Sequence, residues 1–124
     1  MSERELALAE EGLEAWRSGD FSRVESMLHP NATWRWWQPG EWDCLNRDDV
    51  LRTLRYRYEH GFGRAETEFV DGGPGTVIVV SHPSDIGGAE WPDEVATVIA
   101  FEGEKIATMQ DYPTREDALA AVRR

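Results

Sequence analysis

Apolar residues recur at Leu6, Ala9, Leu13 and Trp16, the three- and four-residue steps that line one face of a helix. Ser2 and Glu5 make a capping-box pair ahead of them, so the pattern predicts a helix from about Glu3 to Arg17. Ser18-Gly19 ends it. Asp20 then caps a second, shorter helix carrying Phe21, Val24 and Leu28 on one face, with Pro30 as its stop. At Ala32 the period changes to two, and Ala32 to Trp37 reads as a strand with Trp34 and Trp36 on one side and Arg35 and Trp37 on the other. Pro39-Gly40 bends the chain into a loop that holds Trp42, Asp43 and Cys44. Asn46 with Asp49 opens a third helix, from Arg47 to about His60, predicted to turn Val50, Leu51, Leu54 and Tyr58 inward and Arg52, Arg55 and Glu59 outward. Gly61 and Gly63 end it.

Beyond that point the pattern is strand-like. Ala65 to Asp71 alternates, setting Ala65, Thr67 and Phe69 against Glu66 and Glu68, so one face is wet. Gly72-Gly73-Pro74-Gly75 is a turn, and Thr76 to His82 is apolar on both faces, as in a strand covered on both sides. The loop from Pro83 to Asp93 contains Gly87-Gly88 and Trp91. Glu94 to Phe101 places large Val95, Ile99 and Phe101 on one parity and small Ala96 and Ala100 on the other, and Glu102-Gly103-Glu104 turns it back into Lys105 to Tyr112. A last helix over Thr114 to Arg123 has the cap Thr114 with Asp117 and the apolar residues Ala118, Leu119 and Val122. Helices first and antiparallel strands afterwards indicate an α+β fold, with the helices on one face of a curved sheet and a cavity between the two.

Length and composition narrow this further. The 124 residues make a single domain spanning 1–124. The longest apolar run is Val77-Ile78-Val79-Val80, too short for a membrane helix, and Met1-Ser2-Glu3-Arg4-Glu5 opens with acid where a secretory signal has basic and then apolar residues. A cytoplasmic protein with no membrane partner is the expectation, and twelve arginines against one lysine suggest the coding bias of a GC-rich bacterial genome. The single cysteine, Cys44, excludes an intrachain disulfide and a multi-thiolate metal site, and three histidines without paired spacing do not make a metal centre, so neither metal nor cofactor is expected. The net charge is -11, with ten acids against the one base Lys105 between Ala65 and Asp111, and five arginines against three acids between Leu45 and Arg64. Such a surface repels phosphate and argues against a nucleic-acid partner; its simplest role is solubility.

Several joints of the chain resemble the nuclear transport factor 2-like superfamily, in the branch of the SnoaL-like polyketide cyclases and ketosteroid isomerases. They are Trp16-Arg17-Ser18-Gly19-Asp20-Phe21 between the first two helices, Leu28-His29-Pro30-Asn31-Ala32-Thr33-Trp34 leading into the first strand, Asn46-Arg47-Asp48-Asp49-Val50 at the third helix and Gly103-Glu104-Lys105-Ile106 at the last hairpin. The resemblance covers nearly the whole chain and implies a cone-shaped half barrel, a curved antiparallel sheet wrapped around N-terminal helices with one deep pocket, often dimerised through the sheet. It therefore implies a homodimer and a hydrophobic small molecule as partners. Ketosteroid isomerases of this family use a tyrosine on the first helix, an aspartate base at the end of the first strand and a protonated aspartate further on. Those positions fall near Gly12, Trp36 and Thr97, none of which carries the needed group, so that catalytic set is absent.

Four of the six tryptophans, Trp34, Trp36, Trp37 and Trp42, lie within nine residues. Their rings suit a flat hydrophobic ligand and each indole N–H can orient a polar atom, although the same rings can instead fill a closed core or a dimer contact. Asp111 is the candidate for chemistry. Alternation puts Ala107, Met109 and Asp111 on one face, which in the relatives looks into the pocket, and a carboxyl in apolar surroundings is suited to exchange a proton near neutrality. The competing roles for Asp111 are a cap for the last helix or a surface ion pair. His82, with Asp85 three residues on, is a second candidate acid–base group or else part of a turn. Tyr58, Thr97, Ile99 and Met109 complete the expected substrate-contacting set, Tyr58 as a hydroxyl that polarises a carbonyl or as core with its hydroxyl at the rim; Tyr56 lies on the same helix. His29 and His60 are expected to satisfy local backbone groups and a helix dipole. Cys44 follows Asp43, which raises a thiol pKa, and is not expected to be a nucleophile. The turn from Gly72 to Gly75 has neither lysine nor following helix and is not a phosphate loop. Three functions fit: a cofactor-independent isomerase, cyclase or hydratase using acid–base chemistry on a hydrophobic or aromatic substrate, a non-catalytic ligand-binding protein, or a dimeric accessory domain.

Overall fold

The computed structural model describes residues 3–41, 43–83 and 92–123. Ser2, Trp42, Asp85, Gly87, Gly88 and Trp91, each given a role or a place by the sequence, lie outside the described residues. Helix α1 (Glu3–Arg17) and helix α2 (Phe21–Met27) meet at Gly19, whose φ of 79° is open to glycine at little cost. A side chain there would also press on the Tyr58 hydroxyl, 3.0 Å from where its Cβ would stand. Asp20 caps α2, accepting from the Arg23 amide at 3.2 Å.

Strand β1 (Leu28–Arg35) follows α2 with no loop between them, so Pro30 lies inside a strand and does not serve as the helix stop that the sequence suggests. Proline is tolerated here because β1 is an edge strand and its register with the neighbouring strand is irregular between Leu28 and Thr33. The strand also ends two residues early. Trp36 and Trp37 therefore do not part to opposite faces; they stack, with ring centroids 3.7 Å apart and planes at 27°. The loop beyond them folds back to pair Cys44 with Trp34 as an antiparallel bridge, closed by backbone bonds of 3.0 and 2.7 Å.

Helix α3 (Arg47–Glu59) begins at Asn46, whose side chain accepts from the Asp49 amide at 2.9 Å. A single 3-10 turn at Phe62–Arg64 delays strand β2 to Thr67–Asp71. Strands β3 (Thr76–Ser81), β4 (Val95–Glu102) and β5 (Lys105–Tyr112) follow, and helix α4 (Arg115–Val122) closes the chain with Thr114 as its cap. The sheet is curved and unclosed, in the order β1-β5-β4-β3-β2, and every pair is antiparallel except β1 with β5, which run parallel. The connection from β1 to β5 thus spans the whole middle of the chain.

Two apolar clusters hold this together. On the helical side Val24, Leu28, Trp34, Val50, Leu51, Ile99 and Met109 are packed into one core, with Trp16, Leu54 and Val79 against it. On the opposite face Ile78, Val80 and Ala96 pack with Ala118 of α4. This explains why β3 is apolar on both parities: Val79 serves the first cluster, Ile78 and Val80 the second. In β5 the pairing slips between Ala100 and Phe101, which face Thr108 and Ile106, so Ala107 has no opposite number. The bulge transfers the helical side from Ala107 to Ile106 and leaves Met109 and Asp111 where simple alternation places them.

Candidate functional site

Between the helices and the sheet lies a cavity of about 480 Å³. Its walls are mostly apolar, with Leu13 and Trp16 from α1, Met27 from α2, Leu54 from α3, Val79 from β3 and Ile99 from β4 among them. A volume of this size matches ordinary small-molecule sites. Asp111 reaches it from the end of β5 while remaining 1% exposed.

The Asp111 carboxyl is held by two donors from different strands. Thr97, opposite it on β4, donates its hydroxyl to Oδ1 at 2.6 Å, and the Trp34 indole on β1 donates to the same oxygen at 3.0 Å. Among the described residues both bonds converge on Oδ1 and neither engages Oδ2. Burial pushes the carboxyl above its ordinary range, opposed first by the Arg57 charge and then by the bonds from Thr97 and Trp34. Asp111 is therefore neither a cap of α4, a role that Thr114 fills by accepting from Asp117 at 3.1 Å, nor a surface ion-pair partner.

Arg57 is the residue the sequence reading left out. It sits one turn beyond Thr53 on α3, lines the cavity and lays its guanidinium over the Trp34 ring, 4.3 Å from the centroid. Burial pulls it below its usual value, with Asp111 and then Cys44 opposing the shift, yet a guanidinium remains a cation under these conditions. The inner face of α3 is Val50, Leu51, Thr53, Leu54 and Arg57, a row at three- and four-residue steps from Val50 that was legible in principle. Arg57 stands among four other arginines between Leu45 and Arg64, and charge alone made it look solvated.

The remaining candidates divide cleanly. Trp34, Trp36, Thr97, Ile99 and Met109 line the cavity together with Asp111. So do Gly12, Trp36 and Thr97 as a set, the three positions near which the sequence resemblance would put catalytic groups. Trp37 stacks on Trp36 and lies outside the lining. Tyr58 is turned away, 39% exposed, because it packs edge-on against Phe21 at 5.5 Å under the α1–α2 joint; Tyr56, at the rim, lines the cavity instead. The His82 ring meets the Asp93 carbonyl at 3.0 Å and does not border the cavity, though its neighbours Ser81 and Pro83 do.

His60 Nδ1 lies 2.8 Å from the Tyr56 carbonyl at the end of α3, and His29 Nδ1 accepts from the Asn31 amide at 3.0 Å. Cys44 is buried with its sulfur 3.3 Å from the Thr53 hydroxyl. Burial first, and Asp49 after it, push the thiol up, whereas Asp43 is engaged with the Trp36 amide at 3.2 Å. Among the described residues no group of three or more His, Cys, Asp or Glu could hold a metal ion, and no helix is long and apolar enough to cross a membrane.

No family model matches the chain, and no curated protein matches it significantly. Solved structures do. The chain is similar to Bal32a from a soil-derived mobile gene cassette, at 15% identity and a TM-score of 0.68 over 90% of this chain and 89% of that one. An NTF2-like protein of unknown function from Burkholderia pseudomallei aligns over the full length of both chains at 16% identity and a TM-score of 0.63. A de novo designed protein with a curved β-sheet gives 16% identity and a TM-score of 0.68 over 99% and 98%. Identities this low speak to the fold alone.

Proposed function

Taking as premise a chain with the nuclear transport factor 2-like fold, we propose that it is a small-molecule pocket protein of the SnoaL-like kind. In this reading it is an enzyme that acts without a cofactor on a hydrophobic or aromatic substrate by acid–base chemistry. The observation that carries it is Asp111: a buried carboxyl at the end of a strand, with Oδ1 fixed by Thr97 and Trp34 and the carboxyl bordering an apolar cavity. Fixing one oxygen holds the other in one direction, as a proton-transfer group requires. Raising its pKa by burial brings the protonated form within reach nearer neutrality, so the same group can give a proton to one atom of a substrate and recover it from another. That is the chemistry of isomerisation, cyclisation or hydration.

Trp34 and Trp36 supply flat apolar surface, and Thr97, Ile99 and Met109 complete the contact set on the sheet. His82, its ring on the Asp93 carbonyl beyond the cavity wall, is the second proton carrier of this proposal. A homodimer, as the resemblance implies, belongs to the same reading; sedimentation at one chain mass at micromolar concentration would count against it. The non-catalytic alternative has its own support in Gly12, Trp36 and Thr97, which face the cavity without the groups that isomerases of this fold use.

Titration with a panel of steroid and aromatic polyketide-like ketones, followed by tryptophan fluorescence, tests the pocket. Compounds that quench are then incubated with protein and followed by proton NMR. Asp111→Asn should abolish turnover while leaving binding within about tenfold. Binding without turnover by the wild type across the panel favours the non-catalytic reading, and no quenching by any compound favours a closed core.

A further inference from the structure

Arg57 places an arginine charge in the cavity that none of the acid–base chemistry above uses. Its guanidinium has five N–H donors, and among the described residues it forms no hydrogen bond and no ion pair. It is held instead by the face of Trp34 at 4.3 Å, the same indole whose N–H fixes Asp111. Arg57 and Asp111 feel each other's charge, yet among the described residues no direct bridge joins them, so Trp34 carries a cation on its ring face and an acid on its N–H edge, both bordering one cavity. The other charged residues on the cavity wall, Arg35 and Asp43, differ in kind. Arg35 is exposed, and Asp43 is bonded to the Trp36 amide.

A half-buried cation with no hydrogen-bonded partner among the described residues is costly, and a guanidinium is shaped for the two oxygens of a carboxylate. Around it the wall offers apolar rings and aliphatic chains and few other charges. We propose that the cavity selects a ligand with an aromatic or alicyclic body and a single carboxylate, the carboxylate pairing with Arg57 and the body extending along Trp16, Val79, Ile99 and Met109. This rests on the pocket reading above and adds the ligand class. The pairing would also fix the distance between the carboxylate and Asp111, so the atom that meets Asp111 is one near the acid group of the ligand. Because the net charge of the protein is -11, general attraction would not bring an anion in; local pairing with Arg57 would have to select it.

Calorimetric titration with naphthalene-2-carboxylate and the matched naphthalene-2-carboxamide separates the terms, since the two share a body and differ in charge. The wild type is expected to bind the carboxylate at least about tenfold more tightly than the amide. Arg57→Met should abolish that preference and keep amide binding within about threefold, which also shows that the variant folds, while Arg57→Lys should retain part of the preference. Equal binding of the two probes by the wild type, or a preference that survives in Arg57→Met, overturns the carboxylate proposal and leaves the pocket reading standing. No binding of either probe overturns both.

Discussion

The indole N–H of Trp34 and the carboxyl of Asp111 are joined at 3.0 Å across 77 residues of sequence. The bond exists because β1 and β5 are neighbours and parallel, with Trp34 paired to Met109. The first strand of the chain and the last are thereby tied at the cavity, and the acid–base candidate depends on a residue from the aromatic stretch.

That dependence has a measurable sign. Hydrogen bonds from Trp34 and Thr97 favour the charged carboxylate, and burial opposes them and prevails. The Asp111 side chain, followed by carboxyl carbon NMR, should titrate above the ordinary aspartate range. Trp34→Phe and Thr97→Val should each move it higher still, and so should Arg57→Met. A midpoint within the ordinary range would contradict the burial argument.

How much of this could be read from the chain depends on what sets each feature. Helices α1 and α3 and strand β5 are local, fixed by apolar period and by caps such as Asn46, and they lie where the pattern puts them. The end of β1 is tertiary: it is set by where pairing with β5 stops, and two tryptophans beyond that point are free to stack. Tyr58 and Arg57 exchanged roles for a similar reason. Adjacent rows of one helix compete for the interior, and the α1–α2 joint offers Phe21 to Tyr58 while the cavity accepts a cation over Trp34. Ala107 gave way to Ile106 through a bulge that no alternation rule contains.

Asp111→Asn should stabilise the protein while removing its proposed chemistry. Since the folded carboxyl titrates above its unfolded value, the folded state holds more protons in the window between the two, and stability falls as pH rises through that window. The asparagine substitution can still accept from Trp34 and Thr97 and has no charge to bury. Melting temperatures of the two proteins should therefore separate progressively as pH rises above the ordinary aspartate range and through the raised pKa of Asp111, in favour of Asp111→Asn. A wild type that gains on Asp111→Asn as pH rises would mean that Arg57 outweighs burial.

Cys44 is predicted to be chemically inert in the folded state. Its sulfur is buried against Thr53 and burial pushes the thiol up, so little thiolate is present and a reagent cannot reach it. An aromatic disulfide reagent at pH 8 should label native protein negligibly over minutes and label one equivalent in denaturant. Rapid native labelling would show that the bridge between Trp34 and Cys44 opens readily.

Two neighbouring positions on α3 should differ sharply in their hold on the fold. Val50 is 0% exposed in the helical core, and Val50→Ala removes two methyl groups from a packed site, for a loss of about 2 kcal/mol. Arg52, on the opposite face, is paired with Asp49 at 3.2 Å, but its side chain is 73% exposed. Solvent and side-chain entropy reduce such a pair to less than about 0.5 kcal/mol, so Arg52→Ala should barely move the urea midpoint. Equal shifts for the two variants would mean that the charged outer face of α3 contributes as much as its packed inner one, against the packing described for the helical-side core.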